Sequence, residues 1–104
     1  MKKVTFYKSM CDGSVITATG YQQYYTISGT DIEISLIFEK QGHQGWVITE
    51  EKSGLLASWQ WFRTRAEAEE SVTMDFLRKV EKSLPFAEKC IKRLNIERAK
   101  RAEV

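Results

Sequence analysis

A thiol beside a carboxylate, Cys11-Asp12, and a lone imidazole, His43 in Gln41-Gly42-His43-Gln44-Gly45, are the parts from which an activated nucleophile and its base are assembled. Nothing in their spacing brings them together. A base at His43 would sit in a glycine-flanked loop with no carboxylate or nucleophile at motif distance. The second thiol, Cys90, is remote from Cys11 and falls in a segment of different pattern, so the pair suggests neither a disulfide framework nor a zinc site. The sequence has no P-loop, no GxGxxG, no His/Cys metal spacing and no GxSxG. These features point away from an enzyme and predict neither a cofactor nor a metal ion. Carboxylates gathered only by the fold would be the remaining route to catalysis.

Recognition chemistry is better represented. From Arg78 to Arg101 nine Lys or Arg stand against three Glu, a local balance of +6 in a chain whose net charge is +2. Grouped like charges add their fields and steer an anionic partner to one end of the molecule. On a helix, Lys89, Lys92, Arg93 and Lys100 fall on one sector, with Ile96 stranded among them. That sector reads either as a solvated face or as a contact surface with Ile96 as its apolar anchor. Glu88 with Lys92, Glu97 with Arg101 and Asp75 with Lys79 have the spacing of intrahelical ion pairs, which favours the first reading. The second predicts a larger, acidic protein partner. Nucleic-acid contact through the same helix is the alternative, although interspersed glutamates and a sequence pI near 8.6 fall short of the usual footprint.

Aromatic residues are the other resource. Tyr7, Tyr21, Tyr24, Tyr25, Trp46, Trp59 and Trp61 would make a base-stacking platform on an open sheet face, or a core beneath packed helices. Trp59 and Trp61 share the parity of Leu55 and Ala57, which assigns them to the core. Tyr24 and Tyr25 lie in an uncharged Tyr-Gln-Gln-Tyr-Tyr segment, suited either to partner contact or to an edge strand whose hydroxyls reach water.

The elements that must position these residues divide near Phe62. Before it apolar residues alternate, and after it they recur at three and four. Ile32, Ile34, Leu36 and Phe38 share one parity of a strand, while Tyr24 to Ser28 precedes it through the turn Ser28-Gly29-Thr30-Asp31. Further strands are expected at Val4–Lys8, Ser14–Thr19, Trp46–Thr49 and Leu55–Phe62. Thr64-Arg65-Ala66-Glu67 is a capping box that opens a helix over 64–83, with Val72, Thr73, Phe76, Leu77, Val80 and Leu84 as its stripe. Pro85 predicts a break and a second, basic helix over 85–102, its apolar arc Phe86, Ala87, Cys90, Ile91 and Leu94. Beyond Leu94 charge invades that arc, so 96–104 is expected to project from the body.

The expectation is therefore a single α+β domain, a four- to five-stranded antiparallel meander followed by two C-terminal helices packed on one face. At 104 residues it can bury a core without a staple. The first eight residues are too polar for a signal peptide, and no run approaches the ~20 apolar residues of a membrane span, which predicts a cytosolic protein with no membrane partner. Small size and missing motifs together suggest a non-enzymatic binding protein that regulates or inhibits its partner.

Overall fold

The computed structural model describes residues 1–102. Five antiparallel strands, β1 (Lys2–Ser9), β2 (Val15–Thr26), β3 (Glu33–Gln41), β4 (Gly45–Glu50) and β5 (Leu55–Leu56), pair in chain order. Helices α1 (Arg65–Glu70), α2 (Met74–Ser83) and α3 (Glu88–Ala102) follow, so the class is α+β with a meander sheet.

Alternation along β3 works on both faces. Ile34, Leu36 and Phe38 meet Ile27, Ile48 and Phe62, and onto this face pack Ala68 of α1 and Leu77 and Val80 of α2. On the opposite face Phe6, Ile37, Val47 and Thr49 are also buried, and Lys8 Nζ reaches Glu39 Oε1 at 2.9 Å across the intervening β2. The sheet curls until Ser9 N donates to Gly54 O at 2.9 Å and Ser9 Oγ to Ser53 O at 2.6 Å, which joins β1 to the β4–β5 turn.

That turn is tightly specified. Glu50, itself buried, accepts from Lys52 N at 2.7 Å and Ser53 N at 2.8 Å, satisfying two amides of the reversal. Gly54 has φ +70, and a Cβ there would lie 2.8 Å from Leu94 Cδ1 and 2.9 Å from Ser9 N. Only glycine allows both the left-handed backbone and so close an approach.

Several expected boundaries move, each for a local reason. The segments expected as two strands, Ser14–Thr19 and Tyr24–Ser28, are one strand that changes partner near Gly20: β1 pairs with 15–22, β3 with 21–26. Ile32 lies outside β3 and is exposed, because its carbonyl accepts from Ile27 N to close the hairpin. The strand expected over Leu55–Phe62 stops at Leu56. Ser58 Oγ accepts from Gln60 N at 3.2 Å, a local turn that competes with the ladder, and only Phe62 returns to pair with Trp46. Trp59 and Trp61 are consequently 91% and 44% exposed, not core.

Thr64 does cap α1, accepting from Glu67 N at 3.1 Å, while Glu67 reaches back to Arg63 N instead of to its own cap. The helix expected over 64–83 is nevertheless two. Ser71 Oγ turns onto Ala68 O at 2.6 Å, and Thr73 caps a fresh start by accepting from Phe76 N at 3.1 Å. Pro85, in contrast, does not break the chain: Leu84–Ala87 form a 3-10 turn between α2 and α3 with helical backbone at both ends. Such a turn advances about 120° per residue against 100° in an α-helix, so four residues shift the arc by about 80°. Phe86 is thereby turned outward, 93% exposed, while Ala87 and Leu94 face in.

The end of α3 does not project as expected. Arg98 Nη2 donates to Glu51 O at 2.7 Å and the Arg101 guanidinium lies 5.4 Å from the centre of the Tyr7 ring. Residues 103 and 104, part of that expectation, lie outside the described residues. Among the described residues no helix is long and apolar enough to cross a membrane.

Candidate functional site

Among the described residues no hydrogen bond links Cys11, Asp12 and His43 to one another. Asp12 is held within the β1–β2 turn, where its Oδ1 accepts from Ser14 Oγ at 2.6 Å and Ser14 N at 2.9 Å. Those two bonds, the hydroxyl's first, hold its carboxyl below the usual carboxylate range. Cys11 is exposed, Cys90 half-buried, and both are free. His43 is exposed in the 3-10 turn Gly42–Gln44. Among the described residues no three His, Cys, Asp or Glu gather as a metal site.

The helical residues expected to bind a partner fall into three groups. Lys89 is exposed and, among the described residues, makes no ion pair. Lys92 pairs with Glu88 at 3.1 Å and Lys100 with Glu97 at 3.5 Å, while Ile96 stands 57% exposed between them. Of the expected intrahelical pairs only the first forms as spaced: Glu97 takes Lys100 instead of Arg101, which is drawn to Tyr7, and Asp75 takes Arg78 instead of Lys79. Arg93 is half-buried, its guanidinium 3.8 Å from where a Cβ on Gly13 would stand. Exposed pairs of this kind contribute ~0–1 kcal/mol and leave both charges open to competition.

Tyr24 and Tyr25, adjacent in β2, project to opposite faces and cannot act together. Tyr24 is exposed beside Gln22, which donates to its hydroxyl at 3.0 Å and to Glu51 at 2.9 Å. Tyr25 packs against the helix-covered core, where burial and then the Glu69 carboxylate push its hydroxyl above its ordinary pKa.

A cleft lined by none of the residues expected to bind a partner lies elsewhere. A groove of about 400 Å³ runs between β5 with its following loop and the helical run of α2 into the 3-10 turn. Leu55, Leu56, Ala57 and Trp59 form one wall, while Phe76, Val80, Phe86 and Ala87 form the other. Trp59 and Phe86 are the two most exposed large apolar side chains of the protein's described part. Clustered exposure of this kind marks an interaction surface far more than a scattered leucine does. One cation, Lys79, lines the groove, and Lys82 and Lys89 are exposed elsewhere along the same helical run. The one acid in the lining, Glu50, has its carboxylate committed to the amides of the β4–β5 turn.

Two signals in the sequence lead to this groove. Ser58 and Gln60 flank Trp59 with turn-forming polarity, and Pro85 immediately precedes Phe86, where a change of helix type rotates the arc. Compared with protein-family models, curated proteins and solved structures, the chain matches none.

Proposed function

We propose that this is a non-enzymatic binding protein whose groove receives an amphipathic, acidic segment of a larger protein, regulating or blocking that partner. The single observation that carries the reading is Trp59 and Phe86, 91% and 93% exposed, bordering one apolar groove. Leaving two large rings in water forgoes roughly 2–3 kcal/mol of burial each, which docking recovers. Aromatic residues flanking a desolvated pocket are the usual anchors of interfaces.

Charge specifies the occupant. Lys79 of the groove lining is exposed, as are Lys82 and Lys89 in the same helical run, and among the described residues none of the three makes an ion pair. An apolar segment carrying Asp or Glu on its outer side would satisfy groove and cations together. The basic sector of α3, with Ile96, adds a positive field that draws an acidic partner toward the molecule. Phosphate contacts by α3 have weaker support, because Lys92 and Lys100 have intrahelical partners and Arg98 and Arg101 are spent on Glu51 and Tyr7.

The test is affinity purification of the tagged full chain from its native host, with and without nuclease, beside two variants. Trp59→Ala with Phe86→Ala empties the groove, and Lys82→Glu with Lys89→Glu reverses two cations of the same helical run. The expected result is a nuclease-resistant acidic partner, bound directly on reconstitution and lost with either variant at an unchanged thermal midpoint. A partner retained by both variants, or released by nuclease, overturns the reading.

A further inference from the structure

A second cleft opens where β2 changes partners. Residues 15–20 of β2 pair with β1 alone, whereas beyond the Tyr21–Phe38 pair β3 continues as Glu39–Gln41 bonded only to β4. The two stretches diverge as facing edges without a ladder between them, and a cleft of about 340 Å³ lies there. Lys3, Thr19, Gly20 and Tyr21 line one side and Lys40 and Trp46 the other. It shares no residue with the groove bordered by Trp59 and Phe86.

Its chemistry differs from that of the groove. The Tyr21 and Trp46 rings lie 6.1 Å apart at 41°, and the Arg65 guanidinium sits 4.4 Å over the Tyr21 ring. Lys3 and Lys40 are exposed, and among the described residues neither they nor Arg65 makes an ion pair. No carboxylate lines the cleft. Two aromatic rings and two lysines without counter-charge thus converge on one opening, with the Arg65 cation beside it over one face of Tyr21. A flat ring with an attached polyanion uses both features, since stacking takes the ring and cations take the phosphate.

The site is held ready. Trp46 exchanges both backbone bonds with Phe62, N to O at 2.7 Å and O from N at 2.9 Å. Beside it Gly45, at φ +115, lies so close to the Phe62 carbonyl that any side chain at 45 would collide with it. The ring's position is therefore set by backbone on two sides, which lowers the ordering cost of binding.

We propose that this cleft binds an unpaired nucleotide, its base against Trp46 and Tyr21 and its phosphate among Lys3, Lys40 and Arg65, either free or within a single strand. In the full chain carrying Trp59→Phe and Trp61→Phe, Trp46 is the only tryptophan and its fluorescence reports the cleft directly. That protein is titrated with a fifteen-nucleotide oligothymidylate, with ATP and AMP, and with inorganic tripolyphosphate, at low and moderate salt. Quenching by a nucleotide ligand is expected, with the logarithm of affinity falling by about 1.4–2 per decade of salt for two or three phosphate contacts on a single strand. Lys3→Glu with Lys40→Glu should weaken binding at least tenfold at an unchanged thermal midpoint. Trp46→Leu should weaken it by about five- to a hundredfold, and Trp46→Tyr should restore most of that loss. Quenching by the oligonucleotide alone assigns the cleft to single strands, and equal quenching by ATP or AMP assigns it to free nucleotides. Absence of quenching at low salt, tripolyphosphate binding as tightly as ATP, or indifference to the lysine reversal overturns the proposal.

Discussion

The helical run contains two different solutions to docking on a sheet. α2 presents Leu77 and Val80, both buried, to a face of Ile34, Leu36, Phe38 and Ile48, and its charges stay outside. α3 buries one large side chain, Leu94, against Gly54, and is otherwise fastened by arginines: Arg98 to two carbonyls of the β4–β5 turn and Arg101 over Tyr7. The contrast teaches that density of positive charge is not a measure of free surface. Arginine carries five donors in a rigid fork on an apolar stem, so a basic helix can hold its own fold by supplying donors to carbonyls that a turn leaves unpaired. The lysines of α3 do none of this work: Lys89 is exposed and makes no ion pair among the described residues, and Lys92 and Lys100 pair only within the helix.

The sharpest way to break the comparison is Leu77→Ala. Leu77 is completely buried between α2 and the sheet, and truncation removes its transfer energy and leaves a cavity, at a cost of about 2–5 kcal/mol. Against a total margin of about 5–15 kcal/mol for such a domain, that is a large fraction. Chemical denaturation should show the loss with an unchanged denaturant slope, since the whole domain unfolds as before. A loss below about 1 kcal/mol would mean that α2 is not the element that closes the core.

Arg98→Ala addresses the other half and should cost less, about 1 kcal/mol, because its hydrogen bond to Glu51 O at 2.7 Å is charge-assisted but only partly shielded from water. The more telling readout is local. Amide hydrogen exchange should speed up through the last turns of α3 and in the β4–β5 turn, while α2 keeps its protection. Equal loss of protection in α2 and α3 would show one cooperative unit and dissolve the distinction drawn here. Arg98→Lys should rescue little, since an ammonium cannot serve two carbonyls in the plane of the guanidinium.

How much of this was legible beforehand follows the same division. The alternation of Ile34, Leu36 and Phe38, the turn at Gly29 and the cap at Thr64 are local codes, and the sheet and the start of α1 follow from them. Thr73 with Asp75 two residues on is also a cap signal, and the break between α1 and α2 was readable there. Arg98 was not. Its acceptors are backbone carbonyls 46 and 47 residues away, and a carbonyl has no side-chain signature to be matched. Trp59 failed for a different reason: period-two counting takes any aromatic as inward, while a serine hydroxyl one residue earlier had already taken the chain out of the ladder. Both candidate binding sites lie where such a local code was interrupted, the groove at the end of β5 and the cleft at the partner exchange of β2.

A third contact lies between these extremes and gives the smallest effect. Tyr25 of β2 packs on the helix-covered core with the Glu69 carboxylate of α1 nearby, and its hydroxyl pKa is raised, chiefly by burial and secondarily by that charge. A raised folded-state pKa means that the fold prefers the neutral phenol. The associated stability is fully present below the unfolded value of about 10 and is lost as pH rises through the folded one. Comparing thermal midpoints at pH 9 and pH 11, the protein should lose more than its Tyr25→Phe variant, and the alkaline lysine titrations cancel because both proteins share them. Glu69→Gln should shrink the difference without removing it, since burial is the larger cause. Equal alkaline losses in the protein and Tyr25→Phe would place the Tyr25 hydroxyl in water and detach α1 from that side of the sheet. A Glu69→Gln variant matching Tyr25→Phe would make charge, not burial, the dominant influence, and α1 would then resemble α3 in how it is held more than α2.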